Sequence, residues 1–102
     1  MEKAPLSSIL EEFTVLPAYP NPFNPSTTIT YGINEDSKVN ISIYDITGQL
    51  INTLQNGYQE EGWHSVKWNG INQQGEQVPA GIYLSKITSG NEVKTIKLML
   101  LK

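Results

Sequence analysis

The sequence predicts an all-β fold, an antiparallel sandwich of about seven strands, and three observations predict it. Ile, Val, Thr, Tyr, Phe and Trp make up 33 of the 102 residues, and such side chains suit a pleated, half-buried surface. Alanine occurs three times and arginine never, so two of the better helix formers are scarce. Apolar residues recur at alternate positions in short runs, and turn residues interrupt the runs at roughly 8–12-residue intervals.

Residues 1–12 read as linker. They mix Pro5, Ser7, Ser8 and glutamates around Ile9-Leu10, where a brief helical turn would fit. Phe13 to Leu16 reads as an edge strand opening the folded part. Segment 1–15 is accordingly taken as a linker open to peptidases and 16–102 as the domain. Tyr19-Pro20-Asn21-Pro22-Phe23-Asn24-Pro25 carries three prolines in seven residues. Proline fixes φ and donates no hydrogen bond, so helix and central strand are excluded. An extended, polyproline-like crossover is expected. Its asparagines would bond nearby backbone, and Tyr19 and Phe23 would pin it to the core.

Strands follow at regular spacing. Thr27, Ile29, Tyr31 and Ile33 share one face of the run 26–33. Val39, Ile41 and Ile43 form the inward row of the next strand, with Asn40, Ser42 and Tyr44 outside. Asp45 to Gly48 is a turn in which Gly48 supplies φ > 0. Gln49 to Leu54 reads as a short strand and Gln55 to Gly62 as a polar connection. His64, Val66 and Trp68 alternate with Trp63, Ser65 and Lys67. Asn69 to Gln77 is a polar loop, and Pro79-Ala80-Gly81 leads into the strand Ile82 to Thr88. Ser89-Gly90-Asn91 is a tight hairpin turn. Val93 to Leu101 closes the sequence, with Ile96, Leu98 and Leu100 on one face. This layout is Ig-like, without the Cys…Trp…Cys pattern of antibody domains.

Several function classes are set aside. With no cysteine there is no disulfide scaffold, cysteine nucleophile or Cys-based zinc site. A net charge of −3 with seven lysines and no arginine argues against nucleic acid. The single histidine, His64, would need Asp36 or Asp45 and a serine to form a triad, and no GxSxG elbow is present. The carboxylate pairs Glu11-Glu12, Glu35-Asp36 and Glu60-Glu61 are sequence neighbours in turns or linker, where solvated charge is the ordinary explanation. Asn69, Asn72 and Glu76 offer calcium only one carboxylate. No enzyme activity, metal or cofactor is expected. The sequon Asn40-Ile41-Ser42 falls within a strand and is read as chance.

Two surfaces are candidates for binding. Trp63 and Tyr44 should face outward and would stack on sugar rings; the competing reading has Trp63 covering a sheet edge or the 55–62 connection. The final strand carries Lys94, Lys97 and Lys102 on an acidic chain. Such lysines commonly blunt an exposed edge. The alternative is an address that a receptor reads by adding a strand.

The motifs of this chain resemble, in order, the type A C-terminal sorting domain of proteins exported by the type IX secretion system. Tyr19 to Ile29 resembles its opening. Val39 to Gly48 resembles its "YD..G" strand-turn, Gly62 to Gly70 its "G.H.V.WDG" block, Val78 to Tyr83 its "V.AG.Y" entry, and Lys94 to Leu98 its lysine-bearing last strand. Asn69 stands in place of the common Asp, and Lys86 where an aromatic residue or arginine is frequent. The resemblance covers about residues 16–102, and the family is similar in fold to Ig-like domains such as that of flagellar hook-capping proteins. It implies a non-enzymatic tag on a larger cargo protein, carried through the periplasm and across the outer membrane to the cell surface or medium. The implied partners are the outer-membrane secretion machinery, a sortase-like peptidase and the N-terminal cargo of the same precursor. The implied recognition residues are Gly81, Tyr83, Lys94, Ile96, Lys97, Leu98 and Lys102. Residues 1–13 lack the charged-then-apolar layout of a signal peptide, which fits the end of a longer secreted chain. The alternatives are a carbohydrate-binding or purely structural Ig-like module of a secreted enzyme.

Overall fold

A computed structural model describes residues 10–102. The expected helical turn around Ile9 and most of the linker lie outside the described residues. Seven strands form: β1 (Thr14–Val15), β2 (Thr27–Ile33), β3 (Ser37–Asp45), β4 (Leu50–Gln59), β5 (Gly62–Trp68), β6 (Gly81–Ser89) and β7 (Glu92–Leu100). They make two antiparallel sheets, ordered β1-β2-β5 and β4-β3-β6-β7. The fold is an all-β Ig-like sandwich.

Alternation places the core. Ile29, Tyr31 and Ile33 of β2 face Val39, Ile41 and Ile43 of β3, and Tyr83, Ile87, Leu98 and Leu100 complete the interior. Trp68 is wedged among aromatic rings, with Phe23 at 5.5 Å and Tyr83 edge-on at 5.2 Å. Its indole N–H donates to the Ile71 carbonyl at 2.9 Å, so its polar atom is satisfied inside an apolar setting. Burying side chains of this size supplies about 1.5–3 kcal/mol each.

Phe13, Thr14 and Val15, within the span read as linker, belong to the sandwich. Phe13 is buried in the core, and Thr14 and Val15 pair with Gly32 and Tyr31. β4 runs to Gln59, five residues beyond the expected end, and only Glu60 and Glu61 separate it from β5. Its sequence Gln55-Asn56-Gly57-Tyr58-Gln59 is polar because β4 is an edge strand with one face in solvent. Ser42 is on the outer face as expected, yet is covered by its neighbours. Its hydroxyl donates to Asn40 Oδ1 at 2.7 Å.

The proline-rich segment is the crossover between sheets. Leu16 N–H donates to the Thr30 carbonyl, and Tyr19 exchanges both backbone bonds with Thr28, so the chain first follows the edge of β2. It then crosses to the edge of β7, where Phe23 forms a parallel bridge with Leu100. It bends at residues 20–22 and 24–25, so it is no regular polyproline run. Phe23 anchors it in the core, but Tyr19 is 81% exposed and pins nothing.

Candidate functional site

β7 is the outer strand of the four-stranded sheet and holds most of the residues singled out for recognition. Its free edge has two different halves. At the C-terminal half, Asn21 imitates a strand with its side chain. Its amide donates to the Lys97 carbonyl at 2.8 Å, and its Oδ1 accepts the Met99 N–H at 2.9 Å. Phe23 continues with its backbone, donating to the Met99 carbonyl and accepting from Leu101 N–H, both at 2.9 Å. The chain bends at Pro20, Asn21 and Pro22 rather than running as a strand, and Asn21 reaches β7 through its side chain. The expectation that these asparagines bond nearby backbone is corrected: Asn21 bonds to residues 76 and 78 positions away.

At the N-terminal half, the edge is open. Alternation along β7 points the Lys97 N–H and both backbone groups of Thr95 and Val93 outward, and no described residue pairs with them. The exposed basic edge is therefore confined to about five residues, 93–97.

The named residues divide accordingly. Ile96 is half-buried and Leu98 fully buried on the inner face, so both are core side chains. Tyr83 is also core, and its hydroxyl donates to the Pro79 carbonyl at 2.6 Å. Burial, with a smaller effect from the nearby Asp45 charge, raises its pKa. Gly81 opens β6 opposite Leu100 at φ +147°, a conformation that L side chains rarely adopt. Lys94 is exposed and places its ammonium 5.9 Å from the centre of the Phe13 ring, a cation–π contact worth about 0.5–1 kcal/mol at an exposed site. Lys97 projects from the outer face, and Lys102 donates to Gln77 Oε1 at 3.4 Å.

The remaining motif residues hold loops and turns. Asp45 Oδ1 accepts the Thr47 hydroxyl at 2.6 Å and the N–H groups of Thr47 and Gln49. The Thr47 hydroxyl first, then those backbone donors, hold its carboxyl below the usual carboxylate range. Gly48 at φ +92° completes this turn. Asn72, weighed as a calcium ligand, has its Oδ1 occupied by the N–H groups of Gln74 and Glu76. His64 stacks on Tyr31 at 5.6 Å and donates from Nε2 to the Glu60 carbonyl at 2.7 Å. The Tyr31 hydroxyl donates to Gln59, and burial raises its pKa while that bond opposes the rise.

Tyr44 and Trp63 do not form one platform. Tyr44 lies on the outer face of the four-stranded sheet and Trp63 on that of the three-stranded sheet, at opposite sides of the sandwich. Trp63 is half-buried beside Gly32, where a Cβ would come within 3.0 Å of its ring and 2.8 Å of a Leu10 methyl. The tryptophan, on the edge strand β5, thus covers a glycine in the sheet face. Sequence reasoning missed the clasp made by Asn21. Its signal was an asparagine with proline on both sides.

Residues 24–93 match the family of FlgD Ig-like domains. The chain belongs to that family. No curated protein sequence matches. Among solved structures, dimeric latent PorU from Porphyromonas gingivalis contains a similar domain, with TM-score 0.70 and 22% identity over 90% of this chain and 10% of PorU. PorZ, described as an essential surface component of the type IX secretion system of the same bacterium, matches with TM-score 0.56 and 24% identity over 94% of this chain and 12% of PorZ. FlgD from P. aeruginosa matches with TM-score 0.57 and 25% identity over 72% of this chain and 58% of that protein. The chain spans about a tenth of PorU and PorZ, so the likeness is to one domain of each. An Ig-like module of the FlgD type thus has solved neighbours in PorU, in the type IX surface component PorZ and in FlgD itself.

Proposed function

We propose that this Ig-like domain is a non-enzymatic C-terminal sorting domain. It directs a larger cargo protein across the outer membrane through the type IX secretion system, and a sortase-like peptidase removes it or uses it for cell-surface attachment. The observation that carries this reading is the convergence of the ordered motifs on one strand. The Tyr19–Pro25 block clasps β7, the Val78–Tyr83 block supplies its neighbour β6, and Gly70 of the Trp68 block packs on Leu100, 3.2 Å from its methyl to an added Cβ. These blocks support a defined β7 whose residues 93–97 stay open to an added strand. The similar domain in PorZ, a surface component of the type IX secretion system, supports the same system. The expected setting is the periplasm in transit, then the surface or the medium.

The test is export of a periplasmic reporter fused to residues 1–102, in a host with this secretion system. Deleting residues 94–102 should abolish export, but it also removes Leu98 and Leu100 from the core. Thr95→Pro is the sharper variant. Its N–H points away from β6, so the β6–β7 ladder survives while a donor needed by an added strand is lost. Undiminished export by a folded Thr95→Pro protein would count against reading by strand addition.

A structural Ig-like spacer is the second reading, favoured by the turn-holding roles of Asp45, Gly48 and Asn72. A spacer functions when moved to the middle of a chain; a sorting domain functions only at the end.

A further inference from the structure

The outer face of the four-stranded sheet has a composition unlike the rest of the chain. Register puts Leu50, Thr53, Asn56 and Tyr58 of β4 in line with Tyr44, Ser42, Asn40 and Lys38 of β3. The same rows continue to Leu84, Lys86 and Thr88 of β6, then to Lys97, Thr95 and Val93 of β7, and Ile82 pairs with Met99. Not one of these outward positions is Asp or Glu, and three are lysine, on a chain of net charge −3. No salt bridge is present to occupy those lysines among the described residues. Asp45 lies at the end of this face, with Oδ1 bonded into its own turn.

Apolar side chains gather at one end of this face. Ile46 is 75% exposed, Leu50 44% and Leu84 37%, and Tyr44 is half-buried beside them. Tyr44, Ile46 and Leu84 line an open concavity of about 430 Å³ that also includes Asp45, Lys86 and Thr95. Isolated exposed apolar residues are ordinary on a protein surface, but a contiguous group around a hollow marks an interaction site.

We infer that this face binds an acidic, aliphatic peptide segment of a partner protein, with an aliphatic side chain in the Tyr44–Leu84 hollow and carboxylates on Lys86 and Lys97. The size of the face favours a segment over a globular surface. Four strands at about 4.8 Å spacing and nine residues at about 3.3 Å each give a face of roughly 15–19 Å by 30 Å. That holds one extended peptide of eight or nine residues and falls short of the ~800 Å² per partner of a standard globular interface. The face favours a peptide over an anionic lipid surface, since Ile46 is the one mostly exposed apolar side chain at the hollow, whereas a bilayer takes up a broad apolar face. The charges set partner choice and salt dependence more than strength.

The site takes the side chains of Lys97 and Thr95 on the sheet face, where strand addition would use the backbone edge of the same residues; Lys86→Glu, which lies on β6 away from that edge, tests it apart from the sorting reading. The experiment screens the full chain against two dodecapeptide libraries rich in Leu, Ile and Val. One carries Asp and Glu, and the other Lys at the same positions. Binders are mapped by amide chemical shifts. Acidic peptides should shift Tyr44, Leu84, Lys86 and Thr95, and Lys86→Glu should weaken them at least tenfold. Lys67→Glu, on the opposite sheet, should leave binding unchanged. The inference is overturned if neither library binds, if the lysine library binds equally, or if the shifts fall on the three-stranded sheet. Binding of phosphatidylglycerol vesicles without any acidic binder would overturn it in favour of a lipid.

Discussion

The two halves of β7 share one strand and one partner, yet differ in what closes their outer edge. From Lys97 to Leu101 the edge is clasped by Asn21 and Phe23, and the inner face is the buried pair Leu98 and Leu100. From Val93 to Lys97 the edge is bare, and the inner face thins to half-buried Ile96 and exposed Lys94. Apolar burial scales stability roughly with area. The clasped half is thus an anchor, while the open half is free to be read.

The largest expected contrast is between truncations in the two halves. Leu98→Ala should cost about 2–5 kcal/mol, as for a fully buried leucine. Val93→Ala, at a site 54% exposed, should cost no more than about 0.5 kcal/mol. Chemical denaturation of both variants checks this, and similar losses would break the division of the strand. Next comes the clasp itself. Asn21→Ala removes two hydrogen bonds at an exposed site and should cost about 1–2 kcal/mol. Hydrogen exchange should speed up at Met99 and stay unchanged at Leu98, whose N–H faces β6.

How far the sequence carries these points depends on the kind of signal. Period-2 alternation identifies Ile29, Tyr31, Ile33, Val39, Ile41 and Ile43 as core, because a sheet with one wet face imposes that pattern. The same logic fails at Gln55–Gln59. An edge strand packs little, so polar residues suffice and read as loop. It also fails at the clasp. Asn21 and Met99 are 78 residues apart, and no local pattern states that distance. The surface candidates are half legible. Lysines on the last strand are visible in the sequence, but which side chains project and which are buried needs the register. Ile96 and Leu98 therefore move from recognition to core. Trp63 and Tyr44 are each placed on an outer face correctly, but only the sheet order separates them.

A smaller effect tests the junction between the halves. Ser85 lies opposite Ile96, with its hydroxyl buried and without a hydrogen-bond partner. Ser85→Ala should raise stability by about 1 kcal/mol, seen as a higher denaturation midpoint. A loss instead would mean that the hydroxyl has a partner in solution. Acid should weaken the clasped end, where Asp45, Tyr83 and Leu98 stand in one row. The Asp45 pKa is lower folded than unfolded. Its contribution is therefore present above the unfolded value and is lost as pH falls through the folded one. Thermal midpoints of Asp45→Asn followed from neutral to acid pH should show a shallower acid decline than the parent.

The smallest structural effect and the largest functional one meet at the lysines of the open half. Lys94→Glu with Lys97→Glu changes exposed charges and should move stability by no more than about 1 kcal/mol, including the loss of the Phe13 contact. Export of a periplasmic reporter carrying residues 1–102 is the measurement that bears most directly on β7 as the address. The double variant should remain folded and lose export, while Lys67→Glu on the other sheet exports normally. Equal export by all three proteins would contradict the account.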